Sequence, residues 1–275
     1  MTRSAVVGCG IMGSGITFVA RAAGFPVTGV EPDDELLAAA RERVERHEAQ
    51  ARKRGADLAS LAPLEMTTDV TAAVAGADVV VEAVPEDLDL KCDVFAQLGA
   101  AAGPGTVIAS NTSGLSIEAL GSASGRSGQV LGLHFFNPVP AMRLVEVVRA
   151  PATTDAVVTS GIEFARAVGK ETVEVRDMPG FVTTRLGTLL MCEAMRAYEQ
   201  GVASPEHVDT AMKLGYNHPM GPLELADRVG LDTVLFVLDD LREVYGEAFA
   251  APTLLREMVT EGKLGRKSGA GFYDY

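Results

Sequence analysis

The feature that most constrains the fold is a glycine-rich turn between an apolar strand and a helix. The segment reads SAVVGCGIMGSGITFVARAAG, in which Gly8, Gly10 and Gly13 form the pattern G-x-G-x-x-G. In such a unit the first glycine permits the tight turn, the second lets the backbone approach a pyrophosphate, and the third lets the helix pack on the strand. The segment therefore predicts a strand–turn–helix unit of a parallel sheet that binds a dinucleotide.

Strand and helix patterns alternate over the first two thirds of the chain. Runs rich in β-branched residues, such as FPVTGV, DVVVEAV and VLGLHFFN, are separated by helical segments such as DELLAAARERVERHEAQ. RLVEVVRA and ETVEVRD read as further strands near the end of the sheet. From DMPGFVTTRL onward nearly every segment has helical periodicity, with breaks expected at SPEHV, YNHPMGP and APT. The predicted fold is α/β, a doubly wound, mostly parallel, Rossmann-like sheet at residues 1–177, followed by an all-helical C-terminal domain at residues 178–275.

An acidic residue at the end of the second strand indicates which dinucleotide is bound. Glu31 would accept hydrogen bonds from the adenosine ribose hydroxyls. A 2′-phosphate there is expected to meet Glu31, Asp33 and Asp34, with no Arg or Lys nearby, and so to be repelled. The alternative is a turn that only packs a strand on a helix. The sequence favours NAD as the cofactor, bound by Gly8, Gly10, Ile11, Met12, Gly13 and Glu31.

Charge and cysteine content disfavour several other classes of protein. The chain has 24 basic and 37 acidic residues, a net charge of −13, which disfavours nucleic acids and anionic membranes as partners. Cys9, Cys92 and Cys192 are far apart and read as buried small residues in a reducing compartment, so neither a metal site nor a disulfide is expected. An apolar strand directly after Arg3 leaves no room for a signal peptide, and no apolar run approaches a membrane span, so a cytoplasmic location is expected.

A histidine and a carboxylate lie in apolar runs of the segment GLHFFNPVPAMRLVEVV. His134 should lie near the carboxyl edge of the sheet, and the turn NPVP returns the chain so that Glu146 can lie beside it. An imidazole held by a carboxylate has a fixed tautomer and can take a proton from an alcohol, which next to a nicotinamide is a dehydrogenase reaction. On spacing alone, His134 as a satisfied core histidine and Glu146 as an exposed strand residue stay open as the alternative.

Seven segments run through nearly the whole chain in order: GCGIMGSGI, VVVEAVPEDLDLK, SNTSGLSI, GLHFFNPVPAMRLVEVV, DMPGFVTTRL, DTAMKLGYNHPMGPLELADRVGLD and GRKSGAGFYDY. Together they resemble the L-3-hydroxyacyl-CoA dehydrogenase family, most closely its short bacterial 3-hydroxybutyryl-CoA dehydrogenases. The resemblance implies an N-terminal NAD-binding domain and a helical C-terminal domain for substrate binding and homodimer formation. It also implies the oxidation of a (3S)-3-hydroxyacyl-CoA thioester, in fatty-acid or butyrate-type metabolism, to the 3-oxoacyl thioester.

The resemblance further implies roles for individual residues. His134 matches the general base and Glu146 its orienting partner. Ser113 matches a hydroxyl near the nicotinamide and the substrate oxygen, and Asn137 matches an amide of the cofactor site that also shapes the catalytic pocket. Further positions that match the NAD site are Glu86, Lys91 and Lys267. The alternatives are a turn residue for Ser113, a bend residue for Asn137 and a surface helix residue for Lys91.

The chain departs from the family pattern at two substrate-binding places. PGFVTTRL has Thr184 where the family has an asparagine near the substrate, and a threonine offers one hydrogen-bond donor instead of two. The positions that match a serine and a lysine in contact with coenzyme A are His47 and Arg54. An acyl carrier protein as the thioester partner stays open as an alternative, as does a non-catalytic, crystallin-like NAD-binding protein.

Overall fold

The computed structural model describes residues 3–275 and divides them into two compact units. The first ends at Met178 and the second comprises Pro179–Tyr275. The sequence expectation placed this boundary between residues 177 and 178. Within residues 3–275, none of the helices combines the length and the apolar character that a membrane crossing requires.

An eight-stranded sheet forms the centre of the first unit, in the order β3-β2-β1-β4-β5-β6-β7-β8. All neighbouring strands are parallel except β6 and β7, which are antiparallel. The strands are β1 Ser4–Val7, β2 Val27–Val30, β3 Leu64–Thr67, β4 Val79–Glu82, β5 Val107–Ser110, β6 Val130–Phe135, β7 Leu144–Arg149 and β8 Glu171–Arg176. The order reverses direction between β1 and β4, and ligands of doubly wound sheets bind outside the carboxyl ends of the strands at this point. The predicted α/β sheet is confirmed, and RLVEVVRA and ETVEVRD are its last two strands.

Six helices connect these strands: α1 Ile11–Ala22, α2 Asp34–Lys53, α3 Val70–Ala75, α4 Leu88–Ala101, α5 Ile117–Ser124 and α6 Asp155–Ala167. Acidic or hydroxyl side chains begin four of them by accepting a backbone N–H of the first turn: Asp33, Asp69, Asp87 and Ser116. Inside the unit, strand residues such as Val81 and Leu133 pack with Ile16 and Phe164 of the helices. This buried core fixes the strand ends at which the polar side chains lie.

The second unit is helical, as predicted, with α7 Thr183–Glu199, α8 Pro205–Gly215, α9 Pro222–Val229, α10 Leu231–Tyr245 and α11 Thr253–Thr260. The expected break at SPEHV is wrong in part, because the last four of these residues form the first turn of α8. Ser204 accepts a hydrogen bond from the N–H of His207, and Pro205 occupies the first helical position, where its missing N–H costs nothing.

Two buried carboxylates attach the C-terminal segment to the helices of the second unit. Asp227 accepts the N–H groups of Phe272 and Tyr273, each at 3.0 Å. Asp209 accepts the hydroxyl of Tyr273 at 2.8 Å. Both aspartates are 1% exposed, so the tail forms part of the packed unit.

The three cysteines are free, and Cys9 and Cys192 are buried as expected. Cys92 is only half-buried. The expectation of burial is wrong there, because Cys92 lies on α4 next to Lys91, which faces the interior, and successive residues of a helix point in different directions.

Candidate active site

The glycine turn joins the end of β1 to the start of α1. Gly8 has a φ of +85°, and a Cβ there would lie 2.8 Å from the backbone of Ala83. A Cβ on Gly13 would lie 1.8 Å from the carbonyl oxygen of Gly8, whereas a Cβ on Gly10 would meet no atom within 4 Å. Internal packing therefore explains Gly8 and Gly13. Gly10 keeps space open for a group from outside the chain.

A cavity of about 740 Å³ lies at this turn, within the usual size range of ligand pockets. Gly8, Gly10, Ile11 and Met12 line one side of it, and apolar residues that include Leu90 line another. The first N–H groups of α1 have no partner within the helix and carry the positive end of its dipole, which suits a pyrophosphate. The turn and the cavity therefore fit a dinucleotide.

Glu31 lies in the wall of the same cavity, directly after β2. It is 8% exposed, and its Oε1 accepts the backbone N–H of Cys9 at 2.6 Å. Burial raises the pKa of Glu31, and both the Cys9 hydrogen bond and the positive charge of Arg43 oppose this shift. The carboxylate is thus held against the glycine turn, where it can accept ribose hydroxyls.

The expectation that no cation lies near Glu31 is wrong. Arg43, in the third turn of α2, lines the cavity together with Glu31. Asp33 does not line it, and its Oδ1 accepts the N–H of Leu36 at 2.8 Å at the start of α2. Neighbours along the sequence are a poor guide here, because a long side chain on a later turn of the helix can line the same cavity as the strand end.

His134 and Glu146 face each other across the antiparallel pair β6 and β7 as direct register partners. His134 Nδ1 lies 2.8 Å from Glu146 Oε2. Glu146 is fully buried and His134 is 7% exposed. The interpretation of Glu146 as an exposed strand residue is therefore wrong. The pair lies near the carboxyl end of β6, at the edge of the sheet that also holds the glycine turn.

Ser113 follows β5 at the same edge and is bound to Glu86. The Glu86 Oε1 accepts a hydrogen bond from the backbone N–H of Ser113 at 2.8 Å and a second one from the Ser113 hydroxyl at 3.2 Å. The hydroxyl of Thr112 donates to the same oxygen at 2.6 Å. Two of the predicted site residues, Ser113 and Glu86, are thus brought together, and the carboxylate fixes the backbone that carries the serine.

Lys91 is buried beneath this cluster and is only 1% exposed, so the alternative of a surface helix residue is wrong. Its Nζ lies 2.6 Å from Glu82 Oε1, 3.1 Å from the Val84 carbonyl and 3.4 Å from Glu86 Oε2. Lys91 does not belong to the wall of the 740 Å³ cavity. Its ammonium reaches the site from within the protein, by holding Glu86.

Glu82 is a residue of this cluster that sequence reasoning missed. It ends β4 and is fully buried. Its Oε1 accepts Lys91 Nζ and the N–H of Val84, and its Oε2 accepts the hydroxyl of Ser110 at 2.6 Å. An acid inside the β-branched run DVVVEAV is the same kind of misfit that pointed to His134, and it was available as a signal.

The other predicted residues of the first unit are Asn137, His47 and Arg54. Asn137 is exposed and lies two residues beyond β6. His47 is half-buried on α2 and stacks on Phe18 with ring centroids 6.0 Å apart. Burial lowers the pKa of His47, and the charge of Arg46 adds to this shift. Arg54 is exposed at the C-terminal end of α2, so its side chain is open to solvent.

Two predicted residues lie in the second unit. Thr184 is the second residue of α7 and is half-buried. Lys267, in the segment GRKSG, has its Nζ 2.6 Å from Asp232 Oδ2. Their predicted roles toward the substrate and the cofactor stay predictions.

Two family models together match nearly the whole chain. A family model described as "3-hydroxyacyl-CoA dehydrogenase, NAD binding domain" matches residues 3–178, and one described as "3-hydroxyacyl-CoA dehydrogenase, C-terminal domain" matches residues 180–275. A Sus scrofa protein named hydroxyacyl-coenzyme A dehydrogenase, mitochondrial, is 41% identical over 98% of this chain and 90% of its own length. A Deinococcus radiodurans protein named probable 3-hydroxybutyryl-CoA dehydrogenase is 43% identical over 98% of this chain and 99% of its own length.

Among solved structures, the (S)-3-hydroxybutyryl-CoA dehydrogenase PaaH1 from Ralstonia eutropha superposes with a TM-score of 0.94. It is 36% identical, and the match covers 100% of this chain and 99% of that one. These comparisons confirm the resemblance found in the sequence and NAD as the cofactor. The chain therefore belongs to the 3-hydroxyacyl-CoA dehydrogenase family, NAD-dependent oxidoreductases that act on a CH–OH group.

Proposed function

We propose that the protein interconverts a (3S)-3-hydroxyacyl-CoA, such as 3-hydroxybutyryl-CoA, and the 3-oxoacyl-CoA, with the His134–Glu146 pair as its acid–base group. The observation that carries this proposal is the 2.8 Å contact between His134 Nδ1 and the buried carboxylate of Glu146. A family member that had lost catalysis would have no need to keep a buried charge paired with an imidazole, since such a pair is costly to desolvate.

We infer that one imidazole nitrogen carries out the proton chemistry. An ionised carboxylate only accepts hydrogen bonds, so Nδ1 carries the hydrogen that it donates to Glu146. Nε2 is then the basic nitrogen, and it takes the proton of the substrate 3-hydroxyl as the alcohol is oxidised. The buried carboxylate stabilises the imidazolium that results and keeps the ring in one orientation.

The residues at the glycine turn are proposed to hold the cofactor. Gly10 leaves room for the pyrophosphate, and Glu31 accepts the ribose hydroxyls. Bound NAD supplies the acceptor for the hydride of the carbon that carries the hydroxyl. Ser113, whose backbone N–H is bound by Glu86, is proposed to supply a hydroxyl near the reacting oxygen once it exchanges its own contact with Glu86 for the substrate.

The remaining assignments follow the family pattern. Asn137 is proposed to shape the catalytic pocket and Lys267 to bind the cofactor. Thr184, His47 and Arg54 are proposed to contact the acyl and coenzyme A parts of the substrate. We place the reaction in fatty-acid or butyrate-type metabolism. We expect a cytoplasmic location, because the three free cysteines suit a reducing compartment.

The dyad is tested by the rate of acetoacetyl-CoA reduction, followed by the absorbance of NADH. His134→Ala is expected to lower kcat by about 10² to 10⁴, the usual contribution of a positioned acid–base group, while NADH binding measured by fluorescence stays unchanged. Glu146→Gln keeps the size of the side chain but removes the charge that stabilises imidazolium, so it should lower kcat and alter the pH profile. An unchanged rate and pH profile in Glu146→Gln would refute the dyad.

The thioester partner is tested separately. We expect kcat/KM to be highest for the coenzyme A thioester and lower for the same acyl group on pantetheine or on an acyl carrier protein. The net charge of −13 supports this order, because carrier proteins are usually acidic and like charges slow association. A higher kcat/KM for the carrier thioester would identify the carrier protein as the natural partner.

A further inference from the structure

The cofactor cavity contains a guanidinium for which the proposed reaction gives no role. Arg43 lies on α2 and is half-buried, whereas Arg41 and Arg46 on the same helix are exposed. Among residues 3–275, Glu31 is the one acidic and Arg43 the one basic side chain in the wall of the cavity. The wall therefore carries one negative and one positive side chain. The sequence had suggested that it would be purely acidic.

Arg43 has no partner that would explain its position. It forms no ion pair and no hydrogen bond with the part of the chain that the structure describes. Other arginines of the same unit are paired, for example Arg149, with Asp155 at 2.6 Å and Glu174 at 2.7 Å. A half-buried guanidinium has up to five donors to satisfy, so an unpaired one in a cavity wall suits an anionic or hydrogen-bonding ligand.

The positive charge of Arg43 favours the charged form of Glu31, although the two side chains form no ion pair. Burial raises the pKa of Glu31, and the positive charge of Arg43 opposes this shift together with the hydrogen bond from Cys9. Asp33 is less important for the wall, since its carboxylate caps α2. A carboxylate at the end of the second strand receives the ribose hydroxyls of NAD, and an arginine nearby receives the 2′-phosphate of NADP. This chain has both groups at one cavity.

We infer that Arg43 provides a binding group for a 2′-phosphate and that the protein therefore accepts NADPH as a second nucleotide, with a preference for NADH set by Glu31. The inference rests on the proposed use of this cavity by the dinucleotide. A bidentate contact between arginine and phosphate is stronger than a neutral hydrogen bond, and it offsets the repulsion between Glu31 and the phosphate. NADH lacks this phosphate, so its affinity depends little on Arg43.

The experiment is equilibrium binding of NADH and of NADPH, read from the fluorescence of the dihydronicotinamide. The proteins compared are the wild type, Arg43→Gln and the control Arg46→Gln, which changes an exposed arginine of the same helix. Arg43→Gln is expected to raise the Kd for NADPH at least about ten-fold, as loss of a hydrogen bond to a charged group does, and to change the Kd for NADH less than about two-fold. Arg46→Gln should change neither.

A second variant tests the opposing carboxylate. Glu31→Gln is expected to weaken NADH binding and to strengthen NADPH binding, which brings the two Kd values together. Equal weakening of both nucleotides by Arg43→Gln would mean that the side chain contacts the adenine, and it would overturn the inference. So would an unchanged NADPH Kd, or a wild type that binds NADH but no NADPH. A wild type that binds neither nucleotide would instead refute the proposed function of the cavity.

Discussion

The catalytic assignment depends on two side chains whose contact is set by register. His134 and Glu146 are opposite each other on β6 and β7, and a shift of one residue would turn one of them to the other face of the sheet. The apolar residues around them fix that register, because both strands are buried. The same core that stabilises the sheet therefore places the imidazole on its carboxylate.

Thr184 is the residue at which this chain differs most plainly from the family pattern near the substrate. Its hydroxyl has one donor, whereas the amide of an asparagine has two and reaches farther. Thr184→Asn is expected to raise kcat/KM for acetoacetyl-CoA about five-fold, because one restored neutral hydrogen bond contributes about 1 kcal/mol in the transition state. The measurement is the steady-state rate with NADH.

Thr184→Leu is the control for this change. Leucine has nearly the shape of asparagine but no hydrogen-bonding group, so it should give no gain. If Thr184→Asn leaves the rate unchanged or lowers it, Thr184 serves only the packing of its own surroundings. It then carries no information about which acyl group the enzyme prefers.

Single residues were predictable from the sequence where their chemistry conflicted with their surroundings. His134 and Glu146 stood out because they interrupt apolar strands. Arg43 did not stand out, and Lys91 was found only through the family resemblance, because a charged residue in a helix looks the same whether its face points to solvent or to the interior. Their positions depend on which face of α2 and α4 packs on the sheet, which is a tertiary property.

At the scale of elements, the alternation of strands and helices was predictable and the short connections were not. The helix α5, Ile117–Ser124, was not expected, because eight residues rich in Ser and Ala show little periodicity. Tertiary contacts stabilise it. Asp177, at the end of β8, accepts the N–H of Glu118 at 2.8 Å. Ser116 caps the same helix locally, but this second cap comes from a distant part of the chain and cannot be seen in the local sequence.

The turn between β6 and β7 is held by a lysine from another element. Lys170 precedes β8 and is 7% exposed, and its Nζ donates to the carbonyls of Val139 at 2.6 Å and Met142 at 2.8 Å. Lys170→Met is expected to lower the free energy of unfolding by about 1–3 kcal/mol, because it leaves the buried Val139 carbonyl unpaired. Urea unfolding measures this. kcat should fall as well, since the turn sets how β7 returns to His134.

The matched control for Lys170 is Lys263→Met. The Lys263 ammonium is exposed and lies 2.8 Å from Glu261. A surface pair of this kind contributes little, so the free energy of unfolding should change by less than about 1 kcal/mol. Equal stability of Lys170→Met and Lys263→Met would show that the turn does not need the buried ammonium.

At the scale of the whole molecule, we propose a homodimer formed through the helical unit. The support is the number of large apolar side chains that α7 and α10 leave exposed, among them Leu186 at 62%, Phe236 at 55% and Val244 at 54%. The sequence of α7 supports this as well, because its apolar residues cover more of the circumference than one core face requires. Exposed apolar surfaces of this kind suit association with a second copy of the chain.

Leu186→Glu is expected to convert the protein from dimer to monomer at micromolar concentration, as measured by light scattering. The new carboxylate would have to lose its hydration in an apolar interface. The free-energy cost of this desolvation is larger than the loss of the leucine's own apolar contacts. The control is Leu88→Glu, in which an exposed leucine at the start of α4 in the first unit, 39% exposed, receives the same charge. It should leave the dimer intact, and its acid favours the N-terminus of the helix. A monomeric wild type would refute the homodimer. A dimer that persists in both Leu186→Glu and Phe236→Glu would show that the two copies contact each other through another surface.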